Sequence, residues 1–173
     1  MNEFKIRTAT LEDAQGILNV AIPSFLSTHI KSAKKEDLDW FINKNYNLRA
    51  FEKDIADSSN IYHVVVNNGD VIAYSKIALN TTFPDARHEQ MTKLDRFYID
   101  PSYLGKGVSK ALIQYLFDFS KEQKQKGIWL NTWIGNERAI AFYKKQDFEI
   151  VGAFDFPISP NHNNPNHRML LSF

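Results

Sequence analysis

At 173 residues, the chain has the size of one domain with a substantial core. Hydrophobic residues make up 43% and aromatic residues 13% of it, which excludes a disordered chain. The formal net charge of +1 gives no global field for nucleic acid or an anionic membrane, and the absence of cysteine excludes disulfides, thiol nucleophiles and cysteine-ligated zinc.

The start of the chain has no apolar signal core, and no apolar run is long enough to cross a bilayer. We therefore expect a cytoplasmic protein with neither a nucleic-acid nor a membrane partner.

Hydrophobic periodicity predicts strands and helices in alternation. Residues 4–8 alternate between apolar and polar, as in a half-buried first strand. Residues 10–13 resemble a capping box, and the helix that follows them should bend or end at Pro23. One or two more helical pieces are expected over residues 34–57.

The middle of the chain is predicted to be a hairpin followed by a strand and a long helix. Residues 61–66 and 71–79 are rich in β-branched side chains and flank an Asn-Asn-Gly-Asp turn at 67–70. An opening strand over 92–99 leads into a Gly-Lys-Gly turn, and its helix should continue to about Lys126.

The last third is predicted to end in strands. Residues 128–133 form a strand, a helix begins at Asn136, and residues 149–156 form another strand. Residues 157–166 are expected to be a polar, proline-broken loop before a final strand at 167–173. The element order predicts a single α/β (α+β) domain with a mixed, mostly antiparallel, twisted sheet flanked by helices.

The Gly-Lys-Gly turn is the most informative local feature. Two glycines at a helix entrance, Gly105 and Gly107, leave backbone N–H groups free to point at one spot, where the positive end of the helix dipole favours a phosphate or pyrophosphate. Glycines also simply end strands and start helices, so the turn alone does not define a site. Lys106 and Lys110 are either solvated side chains or counter-charges to a bound pyrophosphate.

Another motif lies downstream, where Asn136, Ala139 and the pair Phe142-Tyr143 are followed by Phe148. With residues 104–109, Leu-Gly-Lys-Gly-Val-Ser, this motif gives the chain a resemblance to the GNAT superfamily of acyl-CoA-dependent N-acetyltransferases, over essentially its full length. The segment at 104–109 takes the place of the family's Q/R-x-x-G-x-G/A loop, which wraps the CoA pyrophosphate. The downstream segment resembles the family motif that flanks the pantetheine arm and the thioester.

Three positions depart from the family pattern. Leu104 replaces the usual Gln or Arg and loses a side-chain contact, whereas Ser109 replaces a Gly or Ala and is still small. Asp147 stands where a glycine usually precedes the phenylalanine, and aspartate tolerates the left-handed conformation better than most residues. The resemblance therefore implies retained CoA binding that is weaker than typical.

The resemblance also implies acetyl-CoA as co-substrate, no metal, and direct transfer of the acetyl group to a primary amine of a small molecule. The strand before the turn would hold the pantetheine through its backbone. The implied cofactor-binding residues are Phe97, Tyr98, Ile99, Leu104, Gly105, Lys106, Gly107, Val108, Ser109, Lys110, Asn136, Ala139 and Tyr143.

Tyr143 is the implied catalytic acid, which would protonate the departing CoA thiolate. A phenol with a pKa near ~10 can donate to a thiolate whose acid has a pKa near ~8.5. An aromatic pair on a short helix is also a common core feature, so a packing role stays open. Asn136 is equally an ordinary helix N-cap, and the two roles are compatible.

The base that removes the amine's proton is harder to place. Asp95 lies on the strand before the turn, where relatives often carry a glutamate that works through ordered water. It is also placed to pair with Arg96 or Lys93 on the surface, and the two readings stay open. His88 and Glu89 are reserve candidates.

The acceptor is expected to bind between the early helices and the loop before the final strand. A polyamine would suit the acidic residues of these elements, which otherwise form an ordinary solvated surface. They are Glu36, Asp37, Asp39, Glu52, Asp54, Asp57, Asp85 and Glu89. The C-terminal half resembles bacterial spermidine/spermine acetyltransferases.

Two other functions stay open: acetylation of protein lysines or N-termini, and a CoA-binding module that has lost catalysis. A homodimer is possible if the final hydrophobic strand pairs across two chains.

Overall fold

The computed structural model describes residues 4–84 and 89–173. The strands are β1 (Lys5–Thr8), β2 (Ile61–Asn67), β3 (Asp70–Thr81), β4 (Met91–Ile99), β5 (Gly127–Trp133), β6 (Glu149–Ser159) and β7 (His162–Ser172). The helices are α1 (Ala14–His29), α2 (Lys35–Asn45), α3 (Leu48–Ala56), α4 (Val108–Glu122) and α5 (Glu137–Lys144).

The strands form a seven-stranded sheet in the order β1-β2-β3-β4-β5-β7-β6. Every neighbouring pair is antiparallel except β4 and β5, which are parallel. The predicted mixed, mostly antiparallel sheet flanked by helices is therefore confirmed. None of the helices in the described ranges is both long and apolar enough to cross a membrane.

The helices cover both faces of the sheet. On one face, α1 to α3 bury Phe25 and Phe51 against β2 and β3. Tyr62 of β2 points to this side. On the other face, α4 and α5 pack on the central strands. Because side chains alternate along a strand, the next residue, His63, points to this opposite side and contacts Tyr115 and Phe119 of α4.

The predicted capping box and the predicted hairpin turn are both confirmed. Asp13 closes the capping box by accepting from the Thr10 backbone at 2.8 Å, and Arg7 pairs with the same carboxylate at 2.7 Å. In the β2–β3 hairpin, Asn68 (φ 51°) and Gly69 (φ 91°) adopt the left-handed conformation that a two-residue hairpin turn requires.

The predicted loop at 157–166 is wrong, because β6 continues to Ser159 and β7 begins at His162, leaving only a tight turn. Proline disfavours strands because it cannot donate to a ladder, but β6 is an edge strand, where Pro157 loses no partner on its open side. Pro165 pairs with Asp155 in a part of β7 that extends past the last β5–β7 pair.

Two helix boundaries also differ from the prediction. α1 continues six residues beyond Pro23, because its C-terminal half is anchored by buried Phe25 and by the Ser24 hydroxyl, which donates to the Ile99 carbonyl at 2.9 Å. α4 ends at Glu122 instead of about Lys126. Lys124 turns left-handed (φ 56°) there, and the Gln125 side chain binds the backbone and side chain of Asn80.

The final strand does not offer the open edge that the suggested dimer contact requires, because β7 is paired on both sides, with β5 and with β6. The open edges of this sheet are β1 and β6. Edge-to-edge pairing through β7 is therefore wrong as a route to a dimer, and a homodimer itself stays a prediction.

Candidate active site

A wedge opens between the two parallel strands at the centre of the sheet. Strands β4 and β5 pair at Thr92, Lys93 and Leu94, and the pairing stops there. The pairing stops because β4 has a bulge at Asp95. Leu94 and Arg96 oppose consecutive residues of β3, so Asp95 is the extra residue, and the bulge bends β4 away from β5. Two connected clefts occupy the wedge, the first of about 360 Å³ and the second of about 350 Å³.

Unpaired backbone groups of β4 point into this wedge. The Asp100 N–H donates to Ile72 on β3 at 2.8 Å, whereas the Ile99 carbonyl points the other way and accepts from Ser24. Backbone direction alternates along a strand, so the N–H groups of Phe97 and Ile99 face the wedge and those of Tyr98 and Asp100 face β3. This edge can accept an extended polar chain as an added strand.

The first cleft ends at the Gly-Lys-Gly turn and the start of α4. Gly105 (φ 77°) and Gly107 (φ 83°) are both left-handed, and this conformation explains the glycines, because an added Cβ would meet nothing within 4 Å. The first helical bond runs from Ala111 to Gly107, so the N–H groups of residues 108–110 precede it and have no partner in the described ranges. This arrangement suits an anion.

The side chains around this turn differ in where they point. Leu104, Ser109 and Lys110 line the first cleft. Val108 is buried in the core and offers only its backbone, whereas Lys106 is exposed over the Tyr103 ring at 4.9 Å.

Tyr143 stands where the two clefts meet. Its side chain is 7% exposed and packs against Phe97, Phe142 and Phe148, with ring centroids 5.4–6.2 Å away. Burial raises the pKa of Tyr143 well above its usual value, so the phenol is neutral at physiological pH. Its hydroxyl has no hydrogen-bond partner among the residues that the structure describes.

The downstream motif holds this tyrosine in place. The Asn136 side chain caps α5 by accepting from the Ala139 N–H at 3.2 Å, so the N-cap role is confirmed, and both residues line both clefts. Asp147 is left-handed (φ 64°), as its replacement of a glycine predicted, and the turn places buried Phe148 against Tyr143.

One wall of the second cleft is formed by aromatic rings from distant parts of the chain, beside polar side chains that include Asn131 and Asn164. The rings are those of Phe25, His29, Phe41, Trp133, Phe154 and Phe156. Burial lowers the pKa of His29 to about 4, so this ring is neutral near pH 7. The rings contact one another, with Phe25 stacked on Phe41 at 4.7 Å and His29 5.7 Å from Trp133.

Asp95 lines the second cleft and also forms an ion pair with Lys93 at 2.8 Å. Arg96 also lines this cleft, and its guanidinium donates to the Tyr62 hydroxyl at 3.1 Å and lies over the rings of Tyr46 and Phe51. Of the two predicted surface partners, the structure therefore gives Lys93. Asp95 as the base stays a prediction, compatible with its place at the cleft.

The predicted acidic rim does not line either cleft in the described ranges. Asp54 binds Lys76 at 2.8 Å and the Tyr62 hydroxyl, and Asp37 accepts from Ser159 at 2.5 Å. Glu89 is exposed outside the clefts, and Asp85 and His88 lie outside the described residues.

Several residues of the site were missed from sequence. Ser24 and Thr28 of α1 line the first cleft, and the aromatic wall joins α1, α2, β5 and β6. The only signal for them was helical spacing of apolar residues in α1 and α2, which also describes any buried face.

The fold and the wedge together define an acyltransferase-type α/β domain. Comparison with known proteins identifies the family. Residues 22–148 match the model of the Acetyltransferase (GNAT) family. The chain therefore belongs to this family and is an N-acetyltransferase.

Relatives by sequence are distant. An uncharacterised N-acetyltransferase of Lactobacillus delbrueckii subsp. lactis is 24% identical over 147 residues, 83% of each chain. The spermine/spermidine N(1)-acetyltransferase of Bacillus subtilis is 32% identical over 89 residues, 51% of this chain and 59% of that protein. The crystal structure of PaiA N-acetyltransferase from Thermoplasma acidophilum in complex with coenzyme A has a TM-score of 0.81 at 17% identity and covers 99% of both chains.

Proposed function

We propose that this protein transfers the acetyl group of acetyl-CoA directly to a primary amine of a small molecule. The observation that carries the proposal is the open wedge between β4 and β5, with free helix-start N–H groups at one end and Tyr143 at its centre. The relatives named as N-acetyltransferases and the solved relative in complex with coenzyme A support the same reading.

The residues of the first cleft fit coenzyme A. The pyrophosphate would be held by the backbone N–H groups from Gly105 to Lys110, and the two left-handed glycines keep Cβ atoms away from it. The Lys110 side chain adds a positive charge. The pantetheine arm would pair with the free edge of β4 at Phe97 and Ile99, as an added strand does.

The chain's own groups perform the proposed chemistry. When bound, acetyl-CoA supplies an activated acyl thioester. A wedge-facing N–H of β4 would donate to the thioester oxygen and stabilise the negative charge that develops there. The amine nitrogen forms the new bond to the acyl carbon as the carbon–sulfur bond breaks. Holding both reactants in adjoining clefts provides much of the acceleration.

The nitrogen loses two protons on its way from ammonium to amide, and the departing sulfur gains one. Asp95 would take the first proton through water before the attack. Tyr143 would give its proton to the departing sulfur, and the second proton, released by the nitrogen once the new bond has formed, would restore the phenol. Its raised pKa makes it a weaker acid than a solvated tyrosine, but the thiolate would leave into the same apolar surroundings, which raise its basicity in the same direction.

The expected setting follows from the co-substrate. We expect a cytoplasmic location, because acetyl-CoA is made and used inside cells. A small-molecule amine is the expected partner, and the net charge of +1 provides no drive toward nucleic acid or membrane. The similarity to the Bacillus subtilis enzyme makes a polyamine one candidate acceptor, which the amine panel includes.

Thiol release from acetyl-CoA with a panel of amines tests the proposal. The panel contains spermidine, aminoglycosides, arylalkylamines and a peptide with a free N-terminus and a lysine. Thiol release that depends on a small amine, with the acetylated amine found by mass spectrometry, supports it. Acetylation of the peptide alone would replace it with a protein acetyltransferase, and CoA binding without any transfer would replace it with a non-catalytic CoA-binding module.

A further inference from the structure

One wall of the second cleft is made of aromatic rings, whereas hydroxyl and amide side chains such as Thr28, Asn131 and Asn164 line other parts of it. Phe25 and His29 come from α1, Phe41 from α2, and Phe156 from β6, and Phe41 lies 5.9 Å from Phe156. Trp133 of β5 joins them next to His29. Since His29 is neutral near pH 7, this wall presents ring faces and edges without a charge.

The charges that reach this cleft are few and mostly positive. The ionised side chains among its described lining residues are Lys93, Asp95 and Arg96. Asp95 is the one carboxylate in the described lining, and it already pairs with Lys93. The nearby Asp54, which approaches Arg96 through Tyr62, is neutralised by Lys76.

These charges disfavour a polyamine. Its several ammonium groups would enter a cleft whose charged lining side chains are two cations and one carboxylate. The hydroxyl and amide oxygens there can accept hydrogen bonds but carry no counter-charge, and a buried charge without a counter-charge is costly. An amine with a single ammonium group and an aromatic body has the opposite balance. Its body buries apolar area against the rings, and its ammonium group is attracted to the ring faces that it covers.

We propose that the acceptor is a primary amine that carries a single positive charge on an aromatic or bulky apolar body. This inference rests on the proposed function and names the substrate class of the same site. The cleft of about 350 Å³ has room for roughly a dozen water-sized groups, which fits an arylalkylamine. The amine end would point toward Phe97, Asn136 and Tyr143, where this cleft meets the first one.

The test compares tryptamine and phenethylamine with spermidine, both in turnover and in calorimetric binding to the protein saturated with CoA. We expect kcat/KM for tryptamine to exceed that for spermidine by at least about tenfold, with binding in the same order. Equal or tighter binding of spermidine would overturn the inference and leave the N-acetyltransferase function standing. Binding of tryptamine without thiol release from any amine would support the cleft assignment and overturn the proposed function instead.

Two variants link the preference to the wall. Phe156→Ala should lower kcat/KM for tryptamine by about tenfold while CoA affinity stays unchanged. Phe154→Ala is an alternative wall variant, in case the first one unfolds. Ile150→Ala, an exposed apolar residue of the same strand outside both clefts, is the matched control. Wall variants that lower spermidine and tryptamine turnover equally would contradict the inference.

Discussion

Replacing Tyr143 with phenylalanine isolates the hydroxyl that we assign as the proton donor. The ring is 7% exposed among Phe97, Phe142 and Phe148, and a phenylalanine in its place would keep these contacts. The hydroxyl has no partner in the described ranges, so its loss breaks no protein hydrogen bond. We therefore expect the free energy of unfolding to change by less than about 1 kcal/mol.

The effect on turnover should be much larger. General acid catalysis contributes about 10²–10⁴-fold, so kcat should fall by at least about 10²-fold while the Kd for CoA stays within about twofold. Thiol release measures the rate, calorimetry the affinity, and thermal unfolding the stability. Tyr115→Phe, a substitution in α4 outside both clefts, is the control. Turnover of the Tyr143→Phe enzyme equal to that of the parent would refute the acid assignment.

Three further predictions concern the turn, the base and pH. Gly107→Ala places a Cβ on a residue with φ 83°, so it should lower the free energy of unfolding by about 1–2 kcal/mol and weaken CoA binding, whereas Gly152→Ala should do neither. Chemical denaturation measures the stability and CoA titration the affinity. Unchanged CoA affinity of the Gly107→Ala protein would contradict pyrophosphate binding by the N–H groups at the α4 entrance. Asp95→Asn should lower kcat/KM more for strongly basic amines than for weakly basic ones at neutral pH, because only the former arrive as ammonium; an equal loss across the amines would indicate a purely structural role. Burial holds the pKa of His29 and of His63 at about 4, below the unfolded value near 6.5, so the unfolded chain binds more protons between these values. Stability should therefore be complete above about pH 6.5 and fall toward pH 4 by up to about 1.4 kcal/mol per pH unit for each histidine, and a His63→Phe variant with the same acid slope would show that this residue is not responsible.

Short-range patterns predicted the parts of the site that lie close together in sequence. Gly105 and Gly107 indicated a helix entrance with free backbone N–H groups, and the structure adds that both glycines are left-handed. Asp147, in the place of a glycine, indicated a left-handed turn. The order of strand, turn and helix then placed Tyr143 near that entrance. All of these are backbone requirements that one residue type reveals.

The acceptor cleft could not be predicted in this way. Phe25, Phe41 and Phe156 meet across more than a hundred residues, and each alone has the spacing of an ordinary core aromatic. The acidic rim was predicted because acidic residues are frequent in the elements expected around the acceptor. The structure pairs Asp54 with Lys76, and the cleft is left with little negative charge. The hairpin at 157–166 was missed because strand propensity does not reveal which strand lies at the sheet edge, where a proline such as Pro157 is tolerated.

The central claim is that the α4 entrance and the free edge of β4 bind coenzyme A. Calorimetric titration of the protein with CoA, and in parallel with pantetheine, tests it most directly. Binding of CoA with pantetheine at least about a hundredfold weaker is expected, because pantetheine lacks the pyrophosphate that the helix-start N–H groups would hold. No heat of binding with millimolar CoA, or equal affinity for the two compounds, would contradict the account.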